Sequence, residues 1–402
     1  MLFPLLRLCC VQLSLVGLVH AQDLSVPSSW RKPSNSRPLS ERITISQNAI
    51  DAILPQLGSG TGEFNGLGYW QSGNAWSAAA NHDEYANQTT FQSSVVANLQ
   101  NAFSLWLDYD KFGSEYFMKY NDDALWWAQA SLYSYRVYGD TTLLAHAEAT
   151  WDNIAPFALT AASASAGSIP GKTFTIEPTC DGITMAGGVF WRPTPDDQSI
   201  NSITTGLYMT LSATLAEITK DVKYTNAAIA SANWIKSLNI NGNNIVLDTI
   251  NGHDCTRSAS DWLFTYNSGK FIEGLSVLAD VTGDSQWRTL MINIVAAAVK
   301  SGAWQGSDGI ITEGVSTTSD NDGVGFKAVF IRGLNEAYTR NPSNQDLRTL
   351  IHSYINVQAS QSENFAANGS TYSSNWHGPP QAFTAWGQLA ALDVMVSAIS
   401  AN

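Results

Sequence analysis

Tyr120-Asn121-Asp122-Asp123-Ala124-Leu125-Trp126-Trp127 opens the run YNDDALWWAQASLYSYRVYGD, residues 120–140. From Ala124 to Tyr138 small, apolar and aromatic residues recur at helical spacing, with no interior Gly or Pro. The run therefore predicts a helix from 122 to 138, with Asn121 as its N-cap and two acids in its first turn. Trp126 follows Asp122 by four positions and Asp123 by three, so one helix face carries both acids and an indole. Two Asp at a helix start ordinarily do no more than complement the macrodipole. Beside Trp126 and Trp127 they make a poor solvated surface and a good sugar-cleaving site. In retaining glycosidases two carboxyl groups stand roughly 5 Å apart, one attacking the anomeric carbon and one protonating the leaving oxygen. Like charges side by side also push one carboxyl up in pKa, the split that this chemistry needs.

Outward from that helix the same periodicity recurs. Twelve helical segments are expected, near 42–57, 69–85, 90–107, 122–138, 141–158, 199–219, 222–238, 264–282, 284–302, 325–340, 343–363 and 380–398. Strand-like alternation is scarce; NNIVLDTI and GIITEG are short pieces able to pair locally. The connections alternate in length. Tight turns such as YGDTT, TKDVK, TGDSQ and TRNPS put Gly, Asn or Asp where helices stop and restart. Between them lie long loops at 58–68, 108–121, 159–198, 239–263, 303–324 and 364–379. Helices that run alternately up and down gather the tight turns at one end and the long loops at the other. The expectation is an all-α fold, a toroid of six helical hairpins forming one domain over 41–402. Function belongs on the loop-rich rim, where Asp122 and Asp123 stand.

The first 21 residues, MLFPLLRLCCVQLSLVGLVHA, read as a signal peptide cleaved after Ala21, with small Val19 and Ala21 at the peptidase positions. Residues 22–40 form a Pro/Ser-rich arm expected to be flexible or late to order. No later run is apolar for ~18 residues and the C-terminal helix carries no long apolar tail, so the expectation is a secreted, unanchored protein. Cys180 and Cys255, the two cysteines outside the leader, are expected to form one disulfide, stabilising by about 4 kcal/mol on chain-entropy grounds. Asn87 and Asn368 head glycan sequons. The net charge of −13 argues against nucleic acid and polyanions, and 14 Trp with 14 Tyr suit stacking on sugars. A neutral polysaccharide is the expected partner, with a monomer favoured.

Other rim residues join the candidate site. Trp191, after Gly187-Gly188, is a possible subsite floor or a packed loop residue. Asn201 opens its helix as cap or hydroxyl partner. Tyr266 and Asn267 suit hydroxyl recognition or capping. Phe326 and Lys327 start a helix, and Lys327 either reaches a sugar or snorkels. Arg332 reads as an ion-pair partner. Asp196 and Asp197 are a rival acidic pair in an ordinary helix start. The histidines show no metal spacing, DNDG at 320–323 lacks the distal Glu of a calcium loop, and neither a phosphate cradle nor a GxSxG elbow occurs, so no cofactor and no metal are expected.

YNDDALWWAQASLYSYRVYGD, GGVFWR with QSINSITTGL, TYNSGKFIEGLSVLADVTGD and FKAVFIRGL, in that order, resemble glycoside hydrolase family 76, the α-1,6-mannanases. The resemblance spans about residues 42–398. It implies an (α/α)6 barrel and retaining hydrolysis of α-1,6-linked mannan, with Asp122 as nucleophile and Asp123 as acid/base. The family also holds fungal cell-wall transglycosidases acting on a glycolipid-anchor core, which gives the alternative activity. The non-catalytic alternative is a mannan-binding toroid.

Overall fold

The computed structural model describes residues 22–111 and 119–401. The leader expected at 1–21, and part of the loop before residue 120, lie outside the described residues. Thirteen α-helices are described: α1 (Leu39–Ile53), α2 (Tyr69–Ala86), α3 (Gln92–Leu105), α4 (Asn121–Tyr138), α5 (Thr141–Ile154), the short α6 (Ala161–Ala166), α7 (Ser202–Thr219), α8 (Val222–Leu238), α9 (Thr265–Thr282), α10 (Ser285–Ala298), α11 (Gly323–Arg340), α12 (Gln345–Gln361) and α13 (Ala385–Ser400). All but α6 answer to the twelve expected segments.

Two classes of helix follow from burial. Outer helices such as α1 and α3 bury one stripe at three- and four-residue spacing, Ala49, Ile50 and Ile53 on the first and Val95, Leu99 and Ala102 on the second, whereas outer α12 is buried on all sides over Ser353–Ala359. Helices α2, α4, α7, α9, α11 and α13 are buried nearly all round, as an inner ring enclosed by an outer one must be. Each inner helix packs on the next in chain order, and α13 closes the ring on α2. This is the (α/α)6 barrel. Five hairpins pair an inner helix with the outer helix after it. The sixth joins the two ends of the chain, α13 with α1, where Arg42 Nη1 donates to the carbonyls of Ala398 and Ile399 at 2.7 and 2.6 Å.

Ionic groups fill the space between the inner helices. Lys270 and Glu273 pair at 2.7 Å, and Tyr133 donates to Glu273. Arg332 grips Asp393 through two hydrogen bonds, as its reading from sequence proposed. Helices α9 and α11 touch through backbone: a Cβ on Gly333 would lie 2.0 Å from the Gly269 carbonyl oxygen.

Three details depart from the sequence reading. Residues 199–201 are not helical but form strand β1 (Ser199–Asn201), antiparallel to β2 (Thr249–Asn251), with Ile200 opposite Ile250. The arm at 22–40 is docked, not free. Trp30 is buried against Tyr354, the Arg31 amide donates to the Asp308 carbonyl at 3.0 Å, and α1 already begins at Leu39. Asn121 is the first helical residue, not the cap; its side-chain amide donates to the Phe190 carbonyl at 2.8 Å. Cys180 and Cys255 are joined by the expected disulfide across the loops before α7 and α9. Among the described residues no helix is long and apolar enough to cross a membrane.

Candidate active site

Because each inner helix follows a long loop, all six begin at one rim. First turns of α2, α4, α9 and α11, with the capping residue of α7, enclose a groove of about 640 Å³. Asp122 and Asp123, second and third residues of α4, both line it and are both half-buried.

The two carboxyls differ in their surroundings. Asp122 Oδ2 accepts from the Trp191 indole N–H at 3.2 Å, while Oδ1 is buried without a partner among the described residues. Burial raises the Asp122 pKa to about 7, opposed by its own amide, the indole and the Asp123 amide. Asp123 is pushed well above the carboxylate range, first by burial and then by the charges of Asp122 and Asp322, with Lys111 opposing. Among the described residues no indole donates to Asp123. Of the two carboxyls Asp123 is therefore the more strongly biased toward its protonated form.

Trp191 is fixed for this task by its backbone. Its carbonyl accepts from the Asn121 amide at 2.8 Å, and its own amide donates to the Ser199 carbonyl at 2.8 Å. The preceding glycines matter through contact with α8: a Cβ on Gly187 would lie 2.1 Å from the Ala230 carbonyl, and one on Gly188 would lie 2.7 Å from the Trp234 indole nitrogen. Trp191 also packs on Tyr120, ring centroids 4.9 Å apart.

The other expected site residues separate into those in the groove and those behind it. Trp126, Tyr266 and Phe326 line it, as does Asn201, whose Oδ1 also caps α7 by accepting from the Thr204 amide at 3.1 Å. Trp127 does not. One residue further round the helix, it is fully buried, stacks on Tyr69 at 4.9 Å and donates to the Tyr69 carbonyl at 3.0 Å. Asn267 is buried behind the wall, donating to Asp248 Oδ1 at 2.9 Å, so it acts on the groove through Asp248. Lys327 is also buried: it donates to the Ser374 carbonyl at 2.5 Å and lies over the Trp376 ring, and burial lowers its pKa to about 7. It neither reaches the groove nor snorkels. Asp196 and Asp197 line a separate surface pocket with Arg192, and Asp197 Oδ1 accepts from the Ser199 amide.

Among the groove residues that escaped the sequence reading are Trp70, Asp248, Trp262 and Asp322. Asp322 Oδ1 accepts from the Trp70 indole at 3.0 Å, and the Trp70 ring packs on Trp126 at 5.6 Å. A cue for this pair existed in DNDG, set aside as an incomplete calcium loop, and in the Tyr-Trp that starts α2.

A groove bearing two adjacent carboxyls of unequal acidity and aromatic walls can perform acid-assisted nucleophilic displacement at a sugar carbon. Known structures share the barrel. The α-1,6-mannanase of Salegentibacter sp. superposes with a TM-score of 0.72 at 19% identity, over 91% of this chain and 100% of that one. An inactive variant of it with two consecutive aspartates changed to asparagine, solved with α-1,6-mannotriose, gives 0.72 at 18% over the same shares. Dfg5 of Chaetomium thermophilum in complex with glucosamine gives 0.70 at 18%, over 90% of each chain. At these identities the likeness is one of fold. No curated protein sequence matches the chain. The sequence profile of glycosyl hydrolase family 76 matches residues 171–402, starting beyond the acid pair. With more than half of its length matched in this way, the chain belongs to glycosyl hydrolase family 76.

Proposed function

We propose that the protein is a retaining endo-α-1,6-mannosidase that cuts the backbone of α-1,6-mannan. The observation that carries the reading is the pair Asp122 and Asp123 at the floor of an open groove, one carboxyl held by the Trp191 indole and the other not. Asp122 attacks the anomeric carbon while Asp123 gives its proton to the departing glycosidic oxygen. Asp123, now a base, takes a proton from water as that water displaces Asp122 from the sugar, leaving the configuration unchanged. The inactivity of the Salegentibacter variant with two consecutive aspartates replaced supports a reaction that needs an aspartate pair. We further propose that the protein acts outside the cell. The apolar leader, the disulfide and the exposed positions of Asn87 and Asn368 favour secretion and glycosylation. Digestion of linear α-1,6-mannan tests the reading: manno-oligosaccharides first released as the α-anomer support it, and a β-anomer or an intact polymer refutes it.

A second reading keeps the residues and changes the acceptor, a sugar hydroxyl in place of water. Likeness to the fungal Dfg5 favours it. A labelled oligosaccharide acceptor that becomes extended during the digest selects this reading; free reducing ends alone select hydrolysis.

A further inference from the structure

Trp262 is 51% exposed although it is among the largest apolar side chains in the protein. It lines the same groove as Asp122 and Asp123. Ring contacts connect it inward: Trp262 to Phe264 at 6.2 Å, Phe264 to Phe326 at 5.4 Å, Phe326 to Trp70 at 6.1 Å and Trp70 to Trp126 at 5.6 Å. Tyr266 stacks on Phe326 at 3.8 Å and thickens the wall. Trp126 sits one helical turn from the carboxyls, so the series leads from the reacting atoms out to solvent.

The loop that presents Trp262 is braced. Behind it, β2 pairs with β1, Cys255 is bonded to Cys180, and the Ser258 amide donates to the Thr249 carbonyl at 3.0 Å. The Trp262 amide donates to the Ala259 carbonyl at 3.0 Å. Ahead of it, Glu313 ties down the start of α9 by accepting from the Thr265 amide at 2.9 Å. An indole carried on a braced loop at a groove mouth adds little backbone ordering cost when a ligand arrives, and that favours affinity. The apolar C–H face of a hexose matches such a ring.

We propose that Trp262 is the platform of an outer subsite that holds mannose residues of the same chain beyond those at the acid pair. It thereby sets the preference for long substrates. The inference rests on the mannanase reading above. The test compares wild type with Trp262→Ala and Trp262→Phe on linear α-1,6-manno-oligosaccharides of increasing length and on the polymer. For Trp262→Ala, KM on the polymer should rise about tenfold, equivalent to ~1.4 kcal/mol. The rise should shrink as the substrate shortens, and Trp262→Phe should restore most of the loss. An unchanged Tm separates lost binding from lost folding. Equal KM changes at every length, or none, in an active enzyme overturn the subsite and leave the mannanase reading standing. A wild type inert on all these substrates overturns both.

Discussion

Asp122→Asn should make the protein more stable at neutral and alkaline pH. The wild-type carboxyl titrates near 7 in the fold, against an ordinary value of 3.8. A carboxyl raised by folding contributes stability that is complete below pH ~4 and is lost as pH climbs through ~7. The full difference corresponds to about 4 kcal/mol. Asp122 is only half-buried and interacts with Asp123, so we halve this to about 2 kcal/mol. The substituted amide keeps an oxygen for the Trp191 indole, which limits new losses. In a chain of this size about 2 kcal/mol moves Tm by roughly 2–3 °C. Thermal unfolding of both proteins from pH 4 to 8.5 reads the effect. Their Tm values should lie close at pH 4, diverge to pH 7 in favour of the variant, and stay parallel above. A gap that ignores pH, or a variant less stable throughout, refutes the electrostatics assigned to the pair.

Other consequences are structural or kinetic. Asp393→Asn leaves the buried Arg332 guanidinium without its counter-charge and should cost about 3–5 kcal/mol, seen as a lower denaturant midpoint at unchanged slope. Gly333→Ala sets a methyl against the Gly269 carbonyl and must part α9 from α11, so a Tm loss of several degrees is expected in calorimetry. The rate of mannan hydrolysis against pH should form a bell with two apparent pKa values that belong to the pair as a unit, and removing either acid should abolish the bell.

Sequence periodicity made the barrel legible because tight turns and long loops alternate strictly, and because α4 announces its acids beside aromatics. What it left hidden depended on neighbours distant in sequence. Strand β1 exists through a partner about fifty residues away, and no local pattern in Ser199–Asn201 reveals it. Adjacent residues on one helix also diverge by about 100°. Trp126 faces the groove while Trp127 locks α4 to α2, and Phe326 faces the groove while Lys327 turns to Trp376. Spacing identified the right turns of helix but not which of two neighbours faces inward. Trp70, Asp248, Trp262 and Asp322 reach the groove from three separate segments, Asp248 and Trp262 both from the loop before α9, so only the closed ring assembles them.

The central claim is that Asp122 bonds to the sugar and Asp123 moves the proton. A mannosyl donor with a fluorine at C2 and an activated leaving group slows breakdown of the covalent intermediate, and it needs little acid help to form one. Incubated with wild type and with Asp123→Asn, then digested and read by peptide mass spectrometry, it should leave one mannosyl adduct on Asp122 in both proteins. An adduct on Asp123 or on another residue, or no adduct while the donor is being consumed, would contradict the account.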